Sequence, residues 1–386
     1  MKRWLPIFVA APLVLLSYFA LRLAYADFLF RSGVPENVAR AASLFPSNPE
    51  YQARTGNLAR SLELNPYQSG GWIEQAVDKE TRGDWAGAEQ DLLRASEVDA
   101  TFEPRWALAN YYFRRDQREE FWKWMRLAAE RSYGDRAALF QLAWRSGSPA
   151  FEIQSRLADG QPEVLGKYIQ WLGRQEKWEE AGVASLSLLR TGQRGEAAAA
   201  SVVCEHLLQQ GKTAPAMEVW NGLAGKGWIS GAPVRPDAPL SNARLEWKPA
   251  GTGFDWRMPW LPGLEHRWRP GELTIVLTGK EQDQTPLLEQ VVPVQSGISY
   301  QFRYRYRAEG LPVKSGVRWK AEGMQSDPLA NGGWREGTLR FSAPAGRTQV
   351  KLILSYERQP GTMRAEATVI LAGDMALGAQ NLHAAR

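Results

Sequence analysis

Hydrophobic and polar positions follow three different rules along this chain. From Trp4 to Leu21 no residue is charged, and Lys2 and Arg3 stand just ahead of the run. From about residue 27 to 223 the apolar positions recur at helical spacing, interrupted by short polar turns. Beyond about residue 244 the period falls to two, in short runs separated by Gly and Pro. The pattern predicts an α+β multidomain chain: an N-terminal membrane helix, an α-helical solenoid and a C-terminal antiparallel β-sandwich. The expected boundaries are 1–26 for the membrane segment, 27–230 for the helical repeats and 231–243 for a linker. Residues 244–373 are expected to form the sandwich, and 374–386 a flexible tail.

The uncharged run sits at the short end of what a bilayer needs, about 20 apolar residues for the hydrocarbon core. Basic residues before it favour an N-terminus left in the cytoplasm and an exported body. Two routes give that topology. Ala24-Tyr25-Ala26 matches the small-x-small pattern of a cleaved signal peptide. Against cleavage, Leu21, Leu23, Ala24, Phe28, Leu29 and Phe30 keep a helical spacing, as if one helix leaves the membrane and enters the first repeat. The favoured expectation is a single-pass anchor in the inner membrane, with the body on the periplasmic side.

In the helical stretch an echo recurs at 34 residues, with Trp72 returning as Trp106, Leu93 as Leu127 and Ala95 as Ala129. Four similar turns separate helices: Gly83-Asp84-Trp85, Asp116-Gln117-Arg118, Glu176-Lys177-Trp178 and Gly211-Lys212-Thr213, each with an apolar residue three positions on. A helix–turn–helix unit of this length cannot bury both faces alone, so neighbours must stack. At these residues the chain resembles the tetratricopeptide repeat (TPR) family, with a large residue early in helix A, Ala in helix B, and Pro46 and Pro66 near unit ends. The resemblance is degenerate: glycine is absent from two of the four turns. It implies a TPR-like solenoid with a concave surface for protein partners. The aromatics of 121–126 are expected to serve mainly as packing between helices.

Candidate strands are 244–248, 253–257, 272–278, 287–294, 299–308, 316–320, 337–342, 349–356 and 364–371. Nine short strands between Gly/Pro turns point to a sandwich or jelly roll. In the strongest one, Tyr300, Phe302, Tyr304 and Tyr306 share one face, and Gln301, Arg303, Arg305 and Arg307 the other. Successive arginines are then about 7 Å apart, either as a solvated face countered by acidic neighbours or as a shallow anionic or sugar-binding surface. Gly253-Phe254-Asp255-Trp256, the run 271–277, Leu288–Val294 and Trp319 resemble the jelly-roll carbohydrate-binding modules of bacterial xylanases and glucanases. That resemblance spans most of 245–371. It implies a groove lined by aromatic and polar residues, with Trp256, Arg303, Arg305, Trp319 and Trp334 as glycan candidates. Fold analogy alone cannot supply a ligand.

Composition narrows the chemistry. There are 17 Trp but only 3 His and 1 Cys, which removes most material for metal sites, thiol chemistry and His-based catalysis. No metal, cofactor or catalytic residue is assigned. Cys204 reads as a core thiol, and a Cys204–His206 dyad fails because neighbours two apart on a helix diverge. His266 lies in a Trp/Arg-rich stretch and His383 near the end of the chain. No phosphate loop, HExxH or CxxC occurs. Basic and acidic groups are interspersed, 47 against 42, so no nucleic-acid arm stands out. The expectation is a membrane-anchored, exported, non-enzymatic scaffold or binding protein: helical repeats for protein partners, and the sandwich for a glycan, in bacterial envelope polysaccharide assembly or export. A purely structural protein–protein scaffold without sugar binding is the alternative. A glycan-active hydrolase using Asp255 and Glu289 is third.

Overall fold

A computed structural model describes residues 5–191, 194–312 and 316–380; His383 lies outside them. The chain divides into two compact units, Met1–Ser148 and Pro149–Arg386.

The first unit is helical. It contains α1 (Leu5–Arg31), α2 (Pro35–Leu44), α3 (Pro49–Arg54), α4 (Leu58–Leu64), α5 (Ser69–Thr81), α6 (Trp85–Val98), α7 (Phe102–Arg114), α8 (Arg118–Arg131) and α9 (Ala137–Arg145). From α1 to α8, consecutive helices pack as hairpins. Residues 12–31 of α1 are long and apolar enough to cross a membrane. The helix continues unbroken through Ala24-Tyr25-Ala26. Its last turns belong to the folded body: Ala26 and Leu29 are buried against Ala41, Ala42 and Tyr51, and the Arg22 guanidinium donates to the Leu44 carbonyl at 2.9 Å.

Polar links tie successive repeats together. Arg114 of α7 grips Glu80 of α5 through two N–H groups, at 2.8 and 3.0 Å. The Tyr111 hydroxyl donates to the Trp85 carbonyl at 2.9 Å. Asn48, Asn57 and Asp84 cap α3, α4 and α6 through side-chain oxygens, satisfying amides that a helix start leaves bare.

The second unit opens with α10 (Ala150–Leu157), α11 (Pro162–Arg174), α12 (Trp178–Thr191), α13 (Ala197–Gln209) and α14 (Thr213–Gly225). The four turns read from the sequence share one geometry. Gly83, Asp116, Glu176 and Gly211 all have positive φ, at 84°, 53°, 57° and 73°. In each, the next amide bonds the carbonyl five residues back: Asp84 to Lys79, Gln117 to Tyr112, Lys177 to Leu172 and Lys212 to Leu207. This is the Schellman helix ending, which favours glycine. Asp116 and Glu176 adopt it with a side chain, so the hydrogen-bond pattern persists where the residue signature lapses.

Strands follow α14: β1 (Leu264–Arg269), β2 (Glu272–Thr278), β3 (Gln284–Pro293), β4 (Ser299–Glu309), β5 (Arg318–Ala321), β6 (Met324–Gln325), β7 (Gly332–Ser342), β8 (Gln349–Glu357), β9 (Glu366–Ala372) and β10 (Ala376–Ala379). They form two antiparallel sheets. One runs β1-β2-β9-β4-β10, with β7 also paired to β4; the other runs β3-β8-β5-β6. Strand β4 is central, because β9 and β10 pair with its two halves and β7 pairs along its length. Between the sheets Trp319 contacts Trp256, Phe302 and Tyr304, with ring centroids 5.8, 4.8 and 5.7 Å away.

Two expectations need correction. Residues 244–248 and 253–257 are not strands; they lie in irregular backbone that carries one isolated bridge, Arg257 to Glu289. This segment's polar groups bond within loops: the Asp255 carboxylate accepts from the amides of Ala250 and Trp256 at 2.6 and 2.8 Å. The connection over 231–243 is irregular backbone held in place by burial and hydrogen bonds. Val234 and Ser241 are fully buried, Asn221 exchanges two hydrogen bonds with the Val234 backbone, and the Trp220 indole donates to the Ala232 carbonyl. Finally, the segment expected to be a tail from 374 begins with β10, an edge strand that β4 completes.

Helices and sandwich within this unit meet along a polar seam. Glu205 of α13 accepts from the Gly253 amide and the Arg257 guanidinium, both at 2.8 Å. Thr213 and Thr348 share a 2.7 Å hydrogen bond, and the Gln349 amide donates to the Leu208 carbonyl at 2.8 Å.

Candidate binding face

The alternation of β4 decides what the six-stranded sheet shows to solvent. Tyr300, Phe302, Tyr304, Tyr306 and Ala308 point inward and are buried, while Arg303, Arg305 and Arg307 are exposed. On β7 the same parity buries Leu339 and Phe341 and leaves Trp334, Glu336, Thr338 and Arg340 outside. Register sets Arg305 opposite Glu336 and Arg303 opposite Thr338. Gly337 is required here, because a β-carbon would fall 2.3 Å from the Tyr304 ring.

Pairing between β4 and β7 slips beside Gly332–Trp334, between Tyr306 and Ala308. Such irregularities re-aim a side chain. Here the Trp334 ring lies against two guanidiniums, with Arg305 and Arg307 5.0 and 5.2 Å from its centroid. Trp334 stays 41% exposed. Arg305 also holds Asp374 at 2.6 Å. A shallow cleft of about 220 Å³ opens between Arg303, Arg305, Glu336, Thr338 and Asp374.

The sequence candidates therefore separate. Arg303, Arg305 and Trp334 lie on one open face. Trp256 and Trp319 are fully buried in the core and offer no surface to a ligand. Both rings lie in the core between the sheets, 5.8 Å apart, although charged residues flank each along the chain, so composition does not reveal which way they point. The structure adds Arg307, Glu336, Thr338 and Asp374 to the face. Arg307 was legible from alternation; Glu336 needed the register, and Asp374 was concealed by the expectation of a tail.

A second concavity lies in the helices. A groove of about 560 Å³ is lined by Ile169 and Arg174 of α11, Trp178 of α12, and Ala198, Val202 and His206 of α13. Its floor is apolar, and His206 stacks on Trp178 with centroids 3.8 Å apart.

The remaining chemical candidates are absorbed by structure. Cys204 is buried, its thiol lies 3.4 Å from the Ala216 carbonyl, and burial pushes it up to about 12, so little thiolate forms near neutrality. Asp255 is sealed from solvent; burial raises its pKa, and the amides of Ala250 and Trp256 act in the opposite direction. Glu289 faces Lys351 at 3.5 Å. His266 bonds the Leu287 carbonyl, and burial lowers its pKa, with that hydrogen bond opposing. Among the described residues no group of three or more His, Cys, Asp or Glu could hold a metal.

No protein-family model matches the chain, and no curated protein does. Solved structures match parts of it. A CBM4 structure is similar over 33% of this chain and 88% of its own, at 16% identity and a TM-score of 0.25. YrrB, a TPR protein with an unusual peptide-binding site, is similar over 44% of this chain and 91% of its own, at 14% identity and 0.23. Pseudomonas aeruginosa PilF is similar over 53% of this chain and 94% of its own, at 16% identity and 0.25. These likenesses are of fold alone: a helical array followed by a two-sheet sandwich.

Proposed function

We propose that this protein is a membrane-anchored, exported binding protein without catalytic activity. The helical repeats hold a protein partner, and the open face of the six-stranded sheet holds a glycan, in assembly or export of a bacterial envelope polysaccharide. One observation carries the reading: the outward β4–β7 surface, where Trp334 and the Arg303–Arg307 row stand exposed beside a cleft. Polar donors around an aromatic ring on a rigid sheet suit a hydroxyl-rich ligand better than an apolar one.

Retention of the anchor is supported by α1, since cleavage after Ala26 would remove Arg22 and a buried alanine from the first helical hairpin. The apolar groove between α11 and α13 supports the protein-partner half, because an exposed apolar concavity is a partner's footprint. It equally favours the second reading, a protein scaffold that binds no sugar.

The two readings part in a glycan-array experiment on the intact protein in detergent, alongside Arg305→Ala and Trp334→Ala. Selective binding lost in both variants supports the glycan reading. Wild-type protein that binds no glycan leaves the scaffold.

A further inference from the structure

We infer that the sheet face takes an acidic polysaccharide, one bearing a carboxylate on some of its sugars, with Arg307 and Arg303 as the anion-binding groups. The inference rests on the glycan reading above and specifies its charge. Two observations carry it.

The first is what Trp334 does. In a neutral-sugar site an exposed indole offers a bare face for a pyranose ring to stack on. Here the ring is taken up by Arg305 and Arg307, whose guanidinium carbons lie 5.0 and 5.2 Å from its centroid. A guanidinium held against an aromatic ring is oriented, and its planar fork of N–H donors matches a carboxylate's two oxygens. Trp334 thus acts as a positioning residue for the Arg307 fork, and for Arg305, which holds Asp374.

The second is the charge left over. Arg305 already holds the chain's own carboxylate, Asp374, at 2.6 Å, which shows that carboxylate docking suits this surface. Its neighbours Arg303 and Arg307 are exposed and make no ion pair among the described residues. Each is solvated in the free protein and can exchange water for a ligand carboxylate. Spacing along a strand sets alternate residues about 7 Å apart, so the unpaired Arg303 and Arg307, four apart, are separated by about twice that. A polymer with widely spaced charges fits such an interval, with hydroxyls filling the gap.

The same cleft argues against denser polyanions. Glu336 and Asp374 line it beside the arginines. They accept hydrogen bonds from sugar hydroxyls but repel a strand charged at every unit, as nucleic acid is. An acidic peptide or nucleic acid is therefore an outcome of the test and not the ligand proposed.

The test is affinity electrophoresis of the full chain in detergent through gels containing a heteropolysaccharide with a uronic acid at only some of its sugars, the same polymer after carboxyl reduction, neutral glucan or xylan, polyglutamate, or DNA. The expected result is retardation by the partly acidic heteropolysaccharide, weakened at least tenfold by carboxyl reduction, with little retardation by polyglutamate or DNA. Arg303→Ala with Arg307→Ala should abolish the retardation. Arg307→Lys should weaken it, because charge remains while the fork is lost. Arg347→Ala, on the turn closed by the Pro344 carbonyl and outside the cleft lining, should change nothing, and thermal melts verify that every variant is folded. Equal binding before and after carboxyl reduction overturns the acidic assignment and leaves the glycan reading intact. Equal retardation by DNA or polyglutamate overturns it as non-specific charge attraction. Loss of all polysaccharide binding overturns both.

Discussion

The helical repeats and the sandwich bury their residues by different logics. A repeat hairpin closes against its sequence neighbours, as Tyr111 does over Trp85 or Ala26 against Ala41. The sandwich gathers residues from Leu245 to Leu377 into a single cluster. Stacked repeats spread stability over many small, local increments, whereas a shared core concentrates it in a few side chains whose loss is felt throughout. A chain built both ways can tolerate a blurred repeat signature yet needs a well-packed sandwich.

The sharpest test of that contrast is Trp319→Ala. Removing a fully buried Trp from the shared core should cost about 3–5 kcal/mol, read as a fall in the denaturant midpoint of the sandwich. Trp334→Ala, on the same domain but outside, should cost no more than about 0.5 kcal/mol. Equal costs would erase the distinction between the inner and outer tryptophans. Next in size is Glu205→Ala at the seam. It strands the Gly253 amide and a mostly buried Arg257, at about 2 kcal/mol for hydrogen bonds to a charged group. Hydrogen exchange at Gly253 should accelerate; unchanged exchange would mean that packing alone holds the seam.

Smaller effects are expected in the repeat turns. Asp116→Gly and Glu176→Gly relieve a left-handed residue with a side chain and should each stabilise by up to about 1 kcal/mol. Gly83→Ala and Gly211→Ala, where no atom crowds the added carbon, should lose a similar amount from φ alone. If all four substitutions are neutral, the shared turn geometry is not what maintains the array. The smallest effect is a pH dependence in the sandwich. His266 has a lowered pKa in the fold, so below about 6.5 the unfolded chain takes up a proton that the folded chain resists. Stability should fall on acidification through that range and stay flatter in His266→Gln, measured by thermal melts across pH.

Legibility in the sequence follows the same divide. The helical period and the inward–outward alternation of β4 are local, so both could be read from residues three or four apart, or two apart. Long-range pairing is not local. Nothing in Ala376–Ala379 announces that β4 will take it as a partner, and Gly253–Trp256 resembles a strand while folding as a loop around Asp255. The candidate face was half visible. Arg303, Arg305 and Trp334 were found, but Trp256 and Trp319 were proposed with them, because a tryptophan's composition signal is the same inside and out. What separates them is parity against the sheet, and for Trp334 the slip at Gly332–Gly333 that no pattern of period two contains.

The pinned segment from Gly231 to Asn242 has a mechanical meaning. A module on a slack tether would absorb a pull by extending the tether. Here the connection is bonded to α14 through Asn221 and Trp220, and the sandwich is bonded to α13 through Glu205. Tension applied by a polymer held on the sheet would reach the last helix hairpin without slack, loading hydrogen bonds there instead of lengthening a spacer.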